Sequence, residues 1–250
     1  KSAACAAAMR AMGITSGDRV VAWAPNTPEV IIFALGALSI GAVVSTASPD
    51  FAPNAVQDRF GQVEPKLILL GDNYQYGGKT FDLKNKGDEI IALLPSLKKS
   101  LRISEFESWI APHIGTKPEY NRLPFDHPGF VLFSSGTTGK PKCITHSGAG
   151  VMLKAGAEQI YQFDMKPDEK VFFFTTCGWM MWNWLLMCLI RGVTIVLFDG
   201  SPVFPRANRL FDMAQNEELN FFGVSAKFID GIKKVGLKPA ETHDLSKLRM

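Results

Sequence analysis

Cysteine, histidine and clustered charge are scarce in this 250-residue chain. Its four cysteines (Cys5, Cys143, Cys177, Cys188) contain no C-x-x-C pair, which argues against a disulfide scaffold and a structural zinc site. The four histidines form no H-x-x-x-H pair. The cysteines read instead as buried thiols of a reducing, cytoplasmic compartment. There is no N-x-S/T acceptor. Net charge is +3, from 27 basic and 24 acidic residues. The basic pairs Lys98-Lys99 and Lys233-Lys234 read as solvated surface, so nothing points to a nucleic-acid partner.

One run needs a membrane test. Residues 30–47, VIIFALGALSIGAVVSTA, are about long enough to span a bilayer. They contain Gly36, Ser39, Gly41 and Ser45, and they follow a helix start: Thr27 as N-cap, then Pro28 and Glu29. Helix, glycine stop, strand is the better reading, with no membrane partner. Lys1 stands within an Ala-rich helical stretch and Met250 follows Leu245-Ser-Lys-Leu-Arg, so a piece of a longer protein is expected.

With 46% hydrophobic residues the chain can bury one large core or two smaller ones. Strands are expected at 18–24, 42–47, 66–71, 129–135, 142–147, 170–176, 193–198 and 220–225. Helices are expected at 28–40, 53–63, 148–163, 179–191, 208–216 and 226–235, with a weaker one at 90–99 broken by Pro95. Strands alternating with helices, and strands that are near-continuous apolar runs, predict an α/β fold with mainly parallel sheets flanked by helices. Between 111 and 128 four prolines and no hydrophobic period mark a connector. The expected division is a first βα unit over 1–128 and a second over 129–250.

The densest chemical signal is FSSGTTGKPKCITH, residues 133–146. Ser134, Ser135, Gly136, Thr137, Thr138 and Gly139 are consecutive, followed by Lys140-Pro141-Lys142. Glycines let backbone N–H groups approach an anion, four hydroxyls can donate to phosphate or ligate a metal, and two lysines add charge. The loop follows an apolar strand, where α/β proteins bind ligands. It is not the G-x-x-x-x-G-K-[ST] phosphate loop: its glycines are three apart and Pro141 blocks a following helix. The bland alternative is a β-hairpin with an elaborate turn. Gly223-Val-Ser225-Ala-Lys227 lacks the last glycine of a nucleophile elbow, so a serine hydrolase is disfavoured.

Ser134 to Lys142 is similar to the signature of the adenylate-forming superfamily: acyl-CoA synthetases, luciferases and peptide-synthetase adenylation domains. Gly17-Asp-Arg-Val20, Asn26 and Gly41-Ala-Val43 resemble the front of such domains. Ser48-Pro-Asp-Phe51, Gly178-Trp-Met-Met-Trp-Asn-Trp184, Phe198-Asp-Gly-Ser-Pro202 and Lys238-Pro-Ala-Glu-Thr-His243 resemble its acetoacetate-activating branch. The resemblance implies two stacked βα units, with a small C-terminal domain and the catalytic lysine outside this chain, and a fragment inactive by itself. It implies ATP, Mg2+ and coenzyme A as substrates and cofactors, and an acyl-adenylate intermediate with release of AMP and pyrophosphate. Short-chain acids of the acetate or propionate type, or a non-catalytic nucleotide-binding piece, are the alternatives.

On the same resemblance, Ser134, Ser135, Gly136, Thr137, Thr138 and Gly139 bind the ATP phosphates: Thr137, Thr138 and Gly139 contact the β/γ-phosphates, Ser135 and Gly136 also shape the turn, and Thr137 or Thr138 lies near Mg2+. Lys142 supplies a phosphate or loop-positioning charge, while Lys140 is solvated. Trp179, Met180 and Met181 line an acyl pocket. Trp182 stands where the acetate-type motif has a small residue, a departure that points to a reshaped pocket, and the Asn183 side chain, on its own chemistry, offers an amide to a ketone oxygen. Trp184 reads as core. Lys79 stands where related synthetases bind the 3′-phosphate of coenzyme A, with a plain surface turn as the bland reading. His146 is a strand residue rather than a base.

Overall fold

The computed structural model describes residues 1–134 and 139–250. Its described residues fall into two compact units: 1–74 with 82–151, and 75–81 with 152–250.

The first unit opens with α1 (Ser2–Ala11), then β1 (Arg19–Trp23), α2 (Pro28–Ser39), β2 (Val43–Ala47), α3 (Pro53–Phe60) and β3 (Leu67–Leu70). A hairpin, β4 (Asn73–Tyr76) and β5 (Lys79–Asp82), follows in the chain, with its residues 75–81 belonging to the second unit. After it come α4 (Lys84–Leu93), β6 (Lys99–Arg102), α5 (Ile103–Ile110), β7 (Pro128–Ser134) and β8 (Lys142–Ser147). The sheet runs β6-β3-β1-β2-β7-β8. Every pairing is parallel except β7 with β8.

The parallel strands are covered on both faces, as their unbroken apolar sequences require. Leu67, Ile68, Leu69 and Leu70 are all fully buried, as are Val20 to Ala24. On one side Trp23, Phe60, Ile68, Leu70 and Ile90 form a core that joins α3 and α4 to the sheet. α2 lies close to α1: a Cβ on Gly36 would stand 2.9 Å from Cys5 Sγ. The apolar run at 30–47 is resolved into helix, turn and strand. α2 ends at Ser39, Gly41 turns the chain with φ +77°, and β2 begins at Val43. Among the described residues no helix is long and apolar enough to cross a membrane. Thr27 takes the N-cap position, but its hydroxyl makes no cap bond and is buried without a partner among the described residues.

The compact units do not divide where the composition changes. β7 lies beside β2, and Ser45 Oγ donates to the Val131 carbonyl at 2.7 Å, so residues 128–147 belong to the first sheet. The proline-rich stretch does not lead away from it. Asn121 Nδ2 donates to Ile40 O at 2.7 Å and the Asn121 N–H to Ser39 O at 3.0 Å, while His127 Nε2 is 2.8 Å from Gly41 O. These contacts fasten the connector over the end of α2.

α6 (Gly148–Ala157) carries the chain into the second unit and ends in a π-helical turn over Glu158–Gln162, where one longer helix was expected. There follow β9 (Lys170–Phe173), α7 (Met180–Met187), β10 (Thr194–Val196), α8 (Arg209–Asn216), β11 (Phe221–Gly223), α9 (Ala226–Lys234) and α10 (Pro239–Thr242). β10-β9-β11 form a parallel sheet. Its core is aromatic, with Phe172, Phe211 and Phe228 among the buried residues. Gly223 pairs with Phe173, and a Cβ there would stand 2.1 Å from the Phe173 ring. Gly192 ends the turn after α7 with φ +72°, the left-handed stop its position implies.

The weak helix expected at 90–99 is displaced. α4 starts at Lys84 and stops at Leu93, before Leu94, whose place ahead of Pro95 disfavours helix. Residues 99–102 form the edge strand β6 instead. The β4–β5 hairpin and α5 had no counterpart in the expected elements.

Candidate functional site

The strand before the Ser/Thr/Gly sequence and the strand after it form an antiparallel pair. Phe133 is opposite Cys143 and Ser134 opposite Lys142, at the edge of a mainly parallel sheet. Ser135, Gly136, Thr137 and Thr138 lie outside the described residues, and with them both threonines named for Mg2+. Ser134 ends β7 and is half-buried; Lys142 starts β8 and is exposed. Gly139 has φ +93°, and a Cβ there would meet nothing within 4 Å. Its need for glycine is therefore conformational, a left-handed turn at the exit of the loop.

The exit is fastened to the end of α3. Gln62 Nε2 donates to Pro141 O at 2.8 Å and to Asp58 O at 2.6 Å, and Cys143 Sγ donates to Gln62 Oε1 at 3.6 Å. Lys140 Nζ stands 4.0 Å from Asp58 Oδ1 with its side chain largely in solvent. Reading along the chain missed Gln62 and Asp58, because nothing local links them to residues some 80 positions away. His146 pairs with Phe130 as a strand residue.

The Trp/Met run lies in the second unit. After β9 the chain turns, with Trp179 N–H donating to Thr176 O at 3.2 Å, and α7 begins at Met180. The run divides by helix face. Trp179 is 69% exposed and Met180 53%, and Met181 is half-buried. Trp182 is fully buried; Asn183 and Trp184 are each 8% exposed. Trp184 packs edge-on against Phe163 and Phe173 with centroids 5.5 and 6.1 Å away, the core role expected of it.

Lys79 sits on β5, exposed. Its hairpin is anchored within the second unit: Gln75 N–H donates to Asp199 Oδ2 at 3.1 Å, and a Cβ on Gly78 would stand 2.4 Å from the Phe204 ring. Ser225 is an N-cap: its hydroxyl accepts from Phe228 N–H at 3.2 Å, which is the reason for a serine there. Among the described residues no three His, Cys, Asp or Glu side chains are grouped as a metal site would need.

A mainly parallel α/β sheet with a glycine- and hydroxyl-rich sequence between its last two strands is a frame on which phosphate sites are built. The family model "AMP-binding enzyme" matches residues 1–250, and the chain belongs to that family. It is similar to the acetoacetyl-coenzyme A synthetase of Rhizobium meliloti (strain 1021), 45% identical over 97% of this chain and 40% of the relative. It is also similar to the acetoacetyl-CoA synthetase of Gallus gallus, 40% identical over 97% of this chain and 39% of the relative. Among solved structures, acetoacetyl-CoA synthetase from Streptomyces lividans superposes with a TM-score of 0.94 at 37% identity, covering 99% of this chain and 40% of that one. The chain thus spans about 40% of the length of the curated relatives it matches.

Proposed function

We propose that the longer protein containing this chain is an ATP-dependent acid–CoA ligase that activates acetoacetate. The carboxylate attacks the α-phosphorus of ATP, forming an acyl-adenylate and expelling pyrophosphate. The thiol of coenzyme A then attacks the acyl carbonyl, and AMP leaves. The observation that supports the reading is the Ser134–Lys142 pairing, which puts both ends of the Ser/Thr/Gly sequence at the edge of a mainly parallel sheet. The names of the relatives supply the acid.

Departing pyrophosphate builds negative charge, and fixed N–H and O–H donors stabilise such charge without reorganising. In this reading Ser134, Ser135, Gly136, Thr137, Thr138 and Gly139 supply those donors and Lys142 a cation. Mg2+, held at Thr137 or Thr138, would neutralise phosphate charge. Trp179, Met180 and Met181 wall the acyl group, and the Asn183 amide hydrogen-bonds the ketone oxygen. Lys79 meets a phosphate of coenzyme A as a point charge. The protein works in the cytoplasm on small molecules, with no nucleic-acid or membrane partner. The catalytic lysine and part of the nucleotide pocket lie outside this chain, which by itself does not complete the cycle.

Acid-dependent ATP–pyrophosphate exchange tests the reading, with acetoacetate, acetate and propionate compared on the longer protein and on this chain. Exchange by the longer protein that prefers acetoacetate, with this chain silent, is the expected result. A preference for acetate or propionate moves the acid but keeps the chemistry; silence with every acid removes adenylation.

A further inference from the structure

We propose that Gln62 is a positioning residue for the phosphate loop, holding the loop's exit to the end of α3. The inference rests on the loop's proposed role in binding ATP phosphates.

Every polar atom of the Gln62 side chain is used. One Nε2 hydrogen goes to Asp58 O at 2.6 Å, which fixes the side chain against its own helix end. The other goes to Pro141 O at 2.8 Å, and Oε1 accepts from Cys143 Sγ at 3.6 Å. Asp58, one turn earlier, faces Lys140 at 4.0 Å. Residues 140, 141 and 143 are thus met by two side chains on one helix end. Gln62 is itself exposed, so packing does not account for the arrangement.

The exit needs holding for a physical reason. Gly139 lies in the left-handed region, which glycine reaches freely because it has no Cβ, so the chain there is not held by its own sterics. Pro141 has no N–H, so its carbonyl is its one backbone hydrogen-bonding group. The antiparallel ladder begins again only at Lys142, opposite Ser134. Between Gly139 and Lys142 the bond from Gln62 does the work that a strand partner does elsewhere. Donors that must meet departing phosphate charge act through being fixed beforehand, so a loosened exit weakens phosphate binding.

Gln62→Met keeps the length of the side chain and removes all three bonds; Gln62→Ala removes the side chain. Both are made in the longer protein and followed by acid-dependent ATP–pyrophosphate exchange and thermal unfolding. The expected result is a KM for MgATP raised roughly three- to tenfold in both variants, the fold-change of about one hydrogen bond. The KM for the acid stays within about twofold, and the melting temperature moves little, as for other exposed positions. If the wild type exchanges and both variants keep its KM for MgATP, Gln62 is no positioning residue, whatever the melting temperature does, and the ligase reading stands. If the wild type exchanges with no acid, the reading of the loop falls and this proposal with it.

Discussion

Asp18 Oδ1 lies 2.5 Å from Lys66 Nζ, joining the turn before β1 to the turn before β3. Asp18 is buried, and its other carboxylate oxygen accepts from Thr15 N–H at 2.9 Å and Thr15 Oγ1 at 3.1 Å. Burial works against its charge, yet the bonds from Lys66 and Thr15 outweigh it and hold the carboxyl below the usual range. A carboxyl depressed in the folded state stabilises above its unfolded value, near about 4, and that contribution fades as pH falls through the lower folded value. Asp18→Asn is therefore expected to cost about 1–3 kcal/mol at neutral pH. It should also flatten the acid limb of stability against pH below about 4. Urea melts at pH 7 and pH 3 check this: a Asp18→Asn deficit as large at pH 3 as at pH 7 contradicts it.

Two glycines carry opposite expectations for alanine. At Gly223 an added methyl would enter the Phe173 ring at 2.1 Å, in a strand fixed by its pairing with β9. The expected loss is about 1–3 kcal/mol, from overpacking. At Gly139 the space is open and only φ +93° resists, so Gly139→Ala costs about 1–2 kcal/mol of local strain. That strain is borne in the loop. In the longer protein Gly139→Ala should raise the KM for MgATP with a smaller effect on melting than Gly223→Ala. The reverse order of melting temperatures would be inconsistent with both assignments.

The tryptophan run separates packing from chemistry. Trp182→Ala empties a fully buried site and should cost about 3–5 kcal/mol. Trp179→Ala removes a ring that is 69% exposed and should leave the melting temperature nearly unchanged. Under the proposed function the Trp179 variant alters the KM for the acid while sparing that for MgATP. Steady-state kinetics with both substrates varied decides this, and an unchanged acid KM takes Trp179 out of the pocket.

What could be read from the chain was what local physics dictates. Apolar runs such as Leu67–Leu70 are strands, and Gly41 and Gly192 are stops because their places in the pattern call for a positive φ. The strands on either side of the Ser/Thr/Gly sequence were legible, 129–135 and 142–147 against β7 and β8. β6 was not: Lys99-Ser-Leu-Arg102 has one buried apolar residue, and its strand character comes from pairing with β3. The place of β7 in the first sheet was hidden likewise, since prolines mark where backbone hydrogen bonding is interrupted and not which sheet the next strand joins. Trp179 and Trp182 look alike in sequence; helical phase, known only once α7 starts at Met180, divides them. Gln62 gave no signal, because an exposed glutamine acquires meaning only through the distant carbonyl it meets.

The cysteines offer a test of the fold that needs no substrate. Cys5, Cys177 and Cys188 are buried, and burial pushes the thiols of Cys5 and Cys188 up to about 12 and that of Cys177 higher still. Cys143 is exposed, with partial burial raising its thiol somewhat. The thiolate is the reacting form, so the native chain should give one rapid equivalent with a chromogenic disulfide and three that react only on unfolding. The rapid rate should rise about tenfold per pH unit below the thiol's own value, and Cys143→Ser should abolish that phase. Because Cys143 bonds to Gln62 beside the loop exit, saturating MgATP on the longer protein should slow its labelling. Two or more rapid equivalents from the folded chain would mean that α1 or the segments flanking α7 are not packed as described. A rate at Cys143 indifferent to MgATP, in a protein that exchanges pyrophosphate, would detach the loop exit from nucleotide binding.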